Sequence, residues 1–308
     1  MDRKEINIEK YVSEVKKNMN LAVADDVIEK DLLLTLLLAE FQKQDGVFNE
    51  LIFKGGTLLS RNYLRYHRFS EDLDFVHKDS SELRKLPRSA REKKIKQFID
   101  IFAPKLKEVA ELLELEFSIN RSDQKYCYIL SGRTIYTFKL YYNEERYIKI
   151  EINFIEKMIN KPVELSIKAI TDFFDSKELI FILGLKIDNF KVLSYPINEI
   201  ILEKYRAVLT RNKLQERDLF DLFLIKGSLK ADVKEIVEKI KASSLIKKNI
   251  DNLIQEKLKL LEQGIFFKSE ERIEELTIED YDKNKFEEFK RKIEPMLIKI
   301  CRRFLSGD

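Results

Sequence analysis

The sequence predicts an α+β fold, in which a mixed or antiparallel sheet is flanked by helices and followed by a C-terminal helical bundle. Apolar residues recur at helical spacing over residues 25–43 and again beyond residue 196, whereas residues 115–154 alternate with a period of two. Eight glycines and five prolines in 308 residues favour long regular elements. We therefore expect a sheet domain with N-terminal helices over residues 1–195 and a helical domain over residues 196–308.

The composition is that of a globular protein with balanced charge. Hydrophobic residues make up 44% of the chain, and 57 basic residues oppose 54 acidic ones for a net charge of +3. Contact with RNA would therefore require a local basic patch. The charged start of the chain and its short apolar runs predict neither a secretory signal nor a membrane span. Cys127 and Cys301 lack metal-ligand spacing, which favours reduced thiols in a cytoplasmic protein.

The first chemical motif is a glycine turn that follows the helix predicted over residues 25–43. Leu51–Lys54 has the length of a buried strand, Gly55 and Gly56 break the pattern, and Thr57 is suited to be the N-cap of a following helix. A strand, a glycine turn and a helix start leave backbone N–H groups pointing outward, which suits a phosphate group.

Two aspartates come next on a predicted strand, in the string Ser70–Val76. Because residues two apart share one face of a strand, Asp72 and Asp74 should project together while Leu73 and Phe75 enter the core. Two neighbouring carboxylates repel unless a cation lies between them, and oxygen ligands suit Mg²⁺. The pattern predicts a metal site; the alternative is an ordinary solvated strand face.

A basic helical region follows the two aspartates. Its cations either form a solvated face or contact phosphates beside the site; they are Arg84, Lys85, Arg88, Arg91, Lys93, Lys94 and Lys96. We expect Pro104 to break or kink this helix.

A later strand carries a third carboxylate. Ile148, Ile150 and Ile152 form the apolar face of this strand, and Glu151 lies on its polar face. We expect Glu151 to lie beside the strand of Asp72 and Asp74, and the alternative is the solvated face of an edge strand.

The C-terminal half contains a further group of charged residues on two predicted helices. Lys204 lies on a helix that begins near Asn198, and Asp218 and Asp221 share one face of a second helix that begins near Gln215. Surface ion pairs on helices are the simpler interpretation of these residues.

Taken in order, these motifs resemble the AbiEii nucleotidyltransferase toxins, with the MenT toxins as relatives, in the DNA-polymerase-β-like nucleotidyltransferase superfamily. The string K-G-G-T-x-L followed by R-x-S-x-D-x-D-F carries the first match, on Lys54, Gly55, Gly56, Thr57, Leu59, Arg68, Ser70, Asp72, Asp74 and Phe75. E-K-x-x-A-x-x-x-R followed by R-D-x-x-D carries the second, from Glu203 to Asp221. The resemblance covers roughly residues 35–230.

The resemblance implies transfer of a nucleoside monophosphate from an NTP to an acceptor hydroxyl, with release of pyrophosphate. Asp72, Asp74 and Glu151 would hold Mg²⁺ or Mn²⁺. The implied nucleotide-binding residues are Gly55, Gly56, Thr57, Arg68, Ser70 and Lys204. Asp218 and Asp221 would support catalysis, as a base or by orienting Lys204 or Arg217. Many superfamily members carry a serine at the position of Gly56, and Thr57 is an alternative source of that hydroxyl.

The resemblance also implies a toxin of a two-gene toxin–antitoxin pair that acts in phage defence or growth control. Its partners would be an NTP, a cognate antitoxin and tRNA or another RNA, with no membrane association. Two alternatives stay open. One is nucleotidylation of a small molecule or a protein side chain, and the other is a nucleotide-binding regulator without turnover.

Overall fold

The structure is a computed structural model, and it describes residues 7–19, 23–44, 46–173, 190–242, 249–268, 273, 277–278 and 280–307. The chain divides into two compact units. The first comprises residues 1–155 and 162–194, and the second comprises residues 156–161 and 195–308. Within the described part of the chain, no helix has the length and apolarity needed to cross a membrane.

In the first unit, seven described strands form one mixed sheet. They are β1 (Leu51–Lys54), β2 (Asp72–His77), β3 (Cys127–Leu130), β4 (Ile135–Tyr141), β5 (Tyr147–Asn153), β6 (Val163–Ser166) and β7 (Lys191–Ser194). They lie in the order β3-β4-β5-β2-β1-β7-β6. Strand β2 runs antiparallel to β1 and parallel to β5, and β4 runs antiparallel to β3 and β5. The predicted mixed sheet with flanking helices is confirmed.

The first unit also contains five described α-helices. They are α1 (Ile8–Met19), α2 (Asp25–Lys43), α3 (Gly55–Leu58, continued by a wider π turn over Leu59–Tyr63), α4 (Ser80–Lys85) and α5 (Arg88–Leu112). The ring of Phe41 on α2 lies 6.3 Å from that of Phe75, and Phe102 on α5 lies 5.4 Å from Phe138. Since strand side chains alternate between faces, the neighbours of Phe75, including Asp74, lie on the other face.

The expected break of α5 at Pro104 is wrong, because the helix is continuous from Arg88 to Leu112. Proline removes the hydrogen bond to the carbonyl four residues earlier, which belongs to Asp100. Both residues lie on the exposed side of α5, where water can take the place of the missing donor.

In the second unit, the described helices are α6 (Ile197–Thr210), α7 (Glu216–Leu224), α8 (Val233–Ala242), α9 (Ile250–Glu262) and α10 (Lys283–Ser306). Their apolar faces meet in a core to which α10 contributes Ile293, Leu297 and Ile300, all fully buried. The helical character predicted for the C-terminal region is therefore confirmed for the described residues.

Buried ion pairs hold the short segment 156–161 within this helical unit. The fully buried carboxylate of Glu199 on α6 accepts hydrogen bonds from the backbone N–H groups of Ile159 and Asn160, at 3.1 and 2.8 Å. The ammonium group of Lys239 on α8 lies 2.7 Å from Glu199 and 3.1 Å from Glu156. The segment is thus anchored by charges that the sequence alone would place on helix surfaces.

Candidate active site

The glycine turn, formed by Gly55 and Gly56 where α3 begins directly after β1, accepts only glycine at its first position. Gly55 has a φ of +81°, and a Cβ added there would lie 2.9 Å from the Cβ of Asp74. A Cβ added at Gly56 would lie 2.8 Å from the hydroxyl oxygen of Ser70 and 3.0 Å from a guanidinium nitrogen of Arg68. The two glycines therefore let Asp74, Ser70 and Arg68 approach the turn closely.

Replacing Gly55 by alanine should lower the free energy of unfolding much more than the same change at Gly227. Gly227 is a matched control because its φ is +85° and an added Cβ would meet nothing within 4 Å. Left-handed strain alone costs about 1–2 kcal/mol, and the collision with Asp74 adds roughly 1–3 kcal/mol. Urea unfolding followed by circular dichroism measures both. Equal losses for the two variants would show that Asp74 does not press against the turn.

Thr57 is not the N-cap of the helix, contrary to expectation. The helix begins at Gly55, directly after β1, so Thr57 falls inside its first turn. Its buried hydroxyl group donates to the backbone carbonyl of Asp72 and lies 3.1 Å from the hydroxyl of Ser70. Thr57 therefore ties the glycine turn to the start of β2, and the hydroxyl nearest to Gly56 is that of Ser70.

Strand register brings Glu151 directly beside Asp74. The parallel strands β2 and β5 pair these two residues, and they pair Asp72 with Lys149 two residues earlier. Burial, together with the neighbouring carboxylate of Glu151, raises the pKa of Asp74 to about 6. The position of Glu151 is therefore the one expected from the sequence, and its carboxylate adds to the effect of burial on the pKa of Asp74.

Lys149 is a residue of this site that the sequence interpretation missed. Its ammonium group lies 2.7 Å from the carboxylate of Asp72. Burial lowers the pKa of Lys149, but the carboxylates of Asp72 and Asp74 outweigh this effect and raise it above its ordinary value. A signal was present in the sequence, since Lys149 and Glu151 share one face of β5 just as Asp72 and Asp74 share one face of β2.

The ligand atoms of this site suit a divalent cation, and strand pairing places two of the three carboxylates, Asp74 and Glu151, side by side. Asp72, Asp74 and Glu151 offer oxygen ligands only, and a cation would relieve the repulsion between Asp74 and Glu151. As they stand, no three His, Cys, Asp or Glu side chains in the described ranges converge closely enough to hold a metal ion. A role for Asp72 as a ligand thus requires its carboxylate to leave Lys149.

Lys204, Asp218 and Asp221 form a buried cluster within the second unit. The ammonium group of Lys204 lies 2.9 Å from Asp218 and 2.6 Å from Asp221, and the two aspartates are almost completely buried. Arg211 approaches the other oxygen of Asp218 at 3.2 Å. Both aspartates therefore contact the ammonium group of Lys204, and the roles of the three residues in the reaction stay a prediction.

The basic residues of α4 and α5 are not brought to the carboxylates. The ring of Phe98 on α5 lies 4.7 Å from His77, which occupies the opposite face of β2 from Asp74. Part of their charge is also neutralised locally, since Arg88 pairs with Glu92 at 2.7 Å. A solvated face is the interpretation that the structure favours.

A comparison with known families decides the identity of the chain. The family model described as nucleotidyl transferase AbiEii toxin, type IV TA system, matches residues 36–300. The chain belongs to the AbiEii family. The family inferred from the motifs is thus confirmed, and this AbiEii protein is a nucleotidyltransferase of the toxin class of a type IV toxin–antitoxin system. No curated protein matches the chain.

A solved structure supports the fold assignment of this AbiEii protein. The chain is similar to MenT4, the nucleotidyltransferase toxin Rv2826c from Mycobacterium tuberculosis H37Rv, with a TM-score of 0.55 and 17% sequence identity. The match covers 96% of this chain and 94% of MenT4. At this identity, the likeness shows that the two chains share an α+β fold.

Proposed function

We propose that this AbiEii protein transfers a nucleoside monophosphate from an NTP to the 3′-terminal hydroxyl of an RNA, with tRNA as the favoured acceptor, and releases pyrophosphate. The reaction would be supported by a divalent metal ion, Mg²⁺ or Mn²⁺. The observation that carries the proposal is the placement of Asp74 and Glu151 side by side on parallel strands, against the glycine turn at Gly55.

The glycine turn is suited to hold the triphosphate. The first N–H groups of a helix have no acceptor within the helix, and they favour anions. Here the helix starts at Gly55, and neither Gly55 nor Gly56 has a side chain that would exclude a phosphate oxygen. The hydroxyl of Ser70 and the guanidinium of Arg68 lie beside Gly56, and both can donate to the same phosphates. In this arrangement Ser70 would supply the hydroxyl that a serine at the position of Gly56 supplies in many superfamily members.

The carboxylates would bind and orient the reacting groups through a cation. When bound, a divalent cation lowers the pKa of the attacking hydroxyl and neutralises charge on the leaving oxygen. Asp74 and Glu151 would hold the cation between β2 and β5, and Asp72 would join them after exchanging its partner. Lys149, released from Asp72, would keep its positive charge on the same face of the sheet.

In the second unit, Lys204 would bind the triphosphate as a point charge. Asp218 and Asp221 would fix the direction of its ammonium group, since both contact it. An antitoxin encoded beside the toxin would be the protein partner, and the cytoplasm, which holds NTPs and RNA, would be the place of action.

The proposal predicts label on RNA when the purified protein is incubated with total RNA, Mg²⁺ and each α-labelled NTP in turn. Label on the tRNA band should appear with at least one NTP and should vanish on addition of EDTA. The variant Asp72→Ala should bind the NTP but leave the RNA unlabelled.

One result would contradict the role of Asp72, and another would contradict the proposed reaction. Label that persists in Asp72→Ala would remove Asp72 from the chemistry. Bound NTP without label on any RNA, for all four nucleotides and with either metal, would favour a small-molecule acceptor, a protein acceptor or a regulator without turnover.

A further inference from the structure

One row of side chains crosses the sheet on the face that carries the carboxylates. Paired positions on adjacent strands form a row across the sheet, from β1 through β2, β5 and β4 to β3. Its members, in that order, are Lys54, Asp74, Glu151, Thr137 and Tyr128. Side chains at directly paired positions share a face. The row therefore has a glycine-turn end at β1 and an opposite end at β4 and β3.

The geometry of the reaction determines which reacting group lies at each end of the row. This assignment rests on the proposed function. Attacking and leaving oxygens lie roughly in line at the transferred phosphorus. If the triphosphate is held at Gly55 and Gly56, the leaving pyrophosphate lies at the β1 end. The attacking hydroxyl must then approach from the side of Glu151 that faces β4 and β3.

Two tyrosines and a lysine occupy that side. The ammonium group of Lys139 lies 4.6 Å from the ring centre of Tyr147 and 5.4 Å from that of Tyr128. All three side chains are partly exposed, and the two rings are the contacts that the ammonium group of Lys139 makes among the described residues. Tyr128, Lys139 and Tyr147 form the tyrosine–lysine cluster.

The cluster adjoins a cleft of about 480 Å³ that also reaches Asp72. Tyr128, Tyr147, Asp72 and Lys149 all line this cleft. Among the other charged residues that line the cleft, Lys30 pairs with Glu71 at 2.8 Å and Arg146 pairs with Asp26 at 2.7 Å. The ammonium group of Lys139 lies beside this cleft, because it contacts the rings of Tyr128 and Tyr147 that line it.

A buried hydroxyl group marks the inner end of this surface. The side chain of Thr137 is fully buried directly beside Glu151, and its oxygen has no hydrogen-bond partner among the described residues. Buried hydroxyls are ordinarily hydrogen-bonded, so the Thr137 hydroxyl is an unsatisfied polar group directly beside Glu151.

We infer that the tyrosine–lysine cluster binds the single-stranded 3′ end of the nucleic-acid acceptor. Unstacked bases would stack on Tyr128 and Tyr147, and Lys139 would contact a backbone phosphate between them. Aromatic platforms combined with a cation are the usual means of binding single strands. A small polar acceptor or a protein side chain would have no use for two rings and an ammonium group.

Binding of a single-stranded RNA, measured without NTP and metal, tests the inference apart from catalysis. The probe is a mixed-sequence RNA of ten nucleotides with a fluorophore at its 5′ end, titrated by anisotropy. We expect Tyr147→Leu and Tyr128→Leu each to weaken binding roughly ten-fold, as is typical for the loss of one base–aromatic stack. Tyr147→Phe should keep the wild-type affinity because the ring remains.

Lys139→Met has a charge-matched control in Lys93→Met, which removes an exposed cation from α5. Lys139→Met should reduce the slope of log affinity against log salt by about 0.7, the value for one phosphate contact to a single strand. Lys93→Met should leave this slope unchanged. Melting temperatures of all variants exclude a loss of folding, and the lysine variants keep the test valid if a tyrosine variant misfolds.

The outcomes separate this inference from the proposed function. Equal affinities of Lys139→Met, Tyr147→Leu and wild type would overturn the inference, whether or not nucleotidyl transfer occurs. Equal binding of a duplex of the same sequence would also overturn it, because paired bases cannot stack on the rings. If the wild type labels no RNA but the cluster variants lose RNA binding, the inference stands and the proposed reaction fails.

Discussion

Asp74→Asn should abolish nucleotidyl transfer and at the same time stabilise the metal-free protein. Transfer should fall by roughly three orders of magnitude or more, since a bound cation supplies several kcal/mol of charge stabilisation in the transition state. Stability should rise because the variant removes a charge that both burial and the carboxylate of Glu151, paired with Asp74 across β2 and β5, make unfavourable. Label transferred to RNA and the melting temperature in EDTA measure the two effects.

The gain in stability should depend on pH in a defined direction. The pKa of Asp74 is about 6 in the folded protein and close to 3.8 in the unfolded chain. The folded state therefore holds the proton more tightly, so ionisation of Asp74 opposes folding as pH rises from about 4 to 6. The difference amounts to about 1–3 kcal/mol once partial exposure is considered. Asp74→Asn should thus melt several degrees higher than wild type at pH 7 and equally at pH 4.

Magnesium provides the control for this prediction. Mg²⁺ should raise the melting temperature of the wild type at pH 7, because a ligand of the folded state stabilises it. The rise should be smaller in Asp74→Asn. A variant that is no more stable than wild type at pH 7 in EDTA would show that the charge of Asp74 is not unfavourable in the folded protein.

Lys204→Met should cost about 3–5 kcal/mol of unfolding free energy, the usual result of removing one partner from a buried ion pair. The reason is that Asp218 and Asp221 are 1% and 0% exposed, and both contact Lys204. Without the lysine, Asp221 would be a buried anion that has lost an ion-pair partner. Because the chain has no tryptophan, far-ultraviolet circular dichroism in urea is the appropriate measurement.

A double variant separates stability from catalysis in this cluster. In Lys204→Met/Asp221→Asn, Asp218 keeps Arg211 at 3.2 Å, so part of the lost stability should return. Transfer should stay lost if Lys204 binds the triphosphate. Recovery of transfer together with stability would instead assign Lys204 a structural role.

Much of the candidate site could be predicted because its signals are local. The glycine turn, the two-residue spacing of Asp72 and Asp74 and the alternation around Glu151 each follow from a few neighbouring residues. The same holds for Asp218 and Asp221, whose three-residue spacing places them on one helical face.

Features that depend on register or exposure could not be predicted in this way. The contact of Lys149 with Asp72 follows from the pairing of β2 with β5, which periodicity does not reveal. Thr57 looks like an N-cap only until the end of β1 fixes the helix start at Gly55. Pro104 is tolerated because the carbonyl it leaves without a donor lies on an exposed face.

The anchoring of segment 156–161 by Glu199 and Lys239 limits how this protein can be dissected. A fragment that ends at residue 195, where the sequence predicts a domain boundary, would contain this segment but not the helices that hold it. The complementary fragment would keep Lys239 and lose Glu156, one of its buried partners. Dividing the chain at a single point therefore removes stabilising contacts from both fragments. Point substitutions in the intact chain of 308 residues are the sounder way to assign activity.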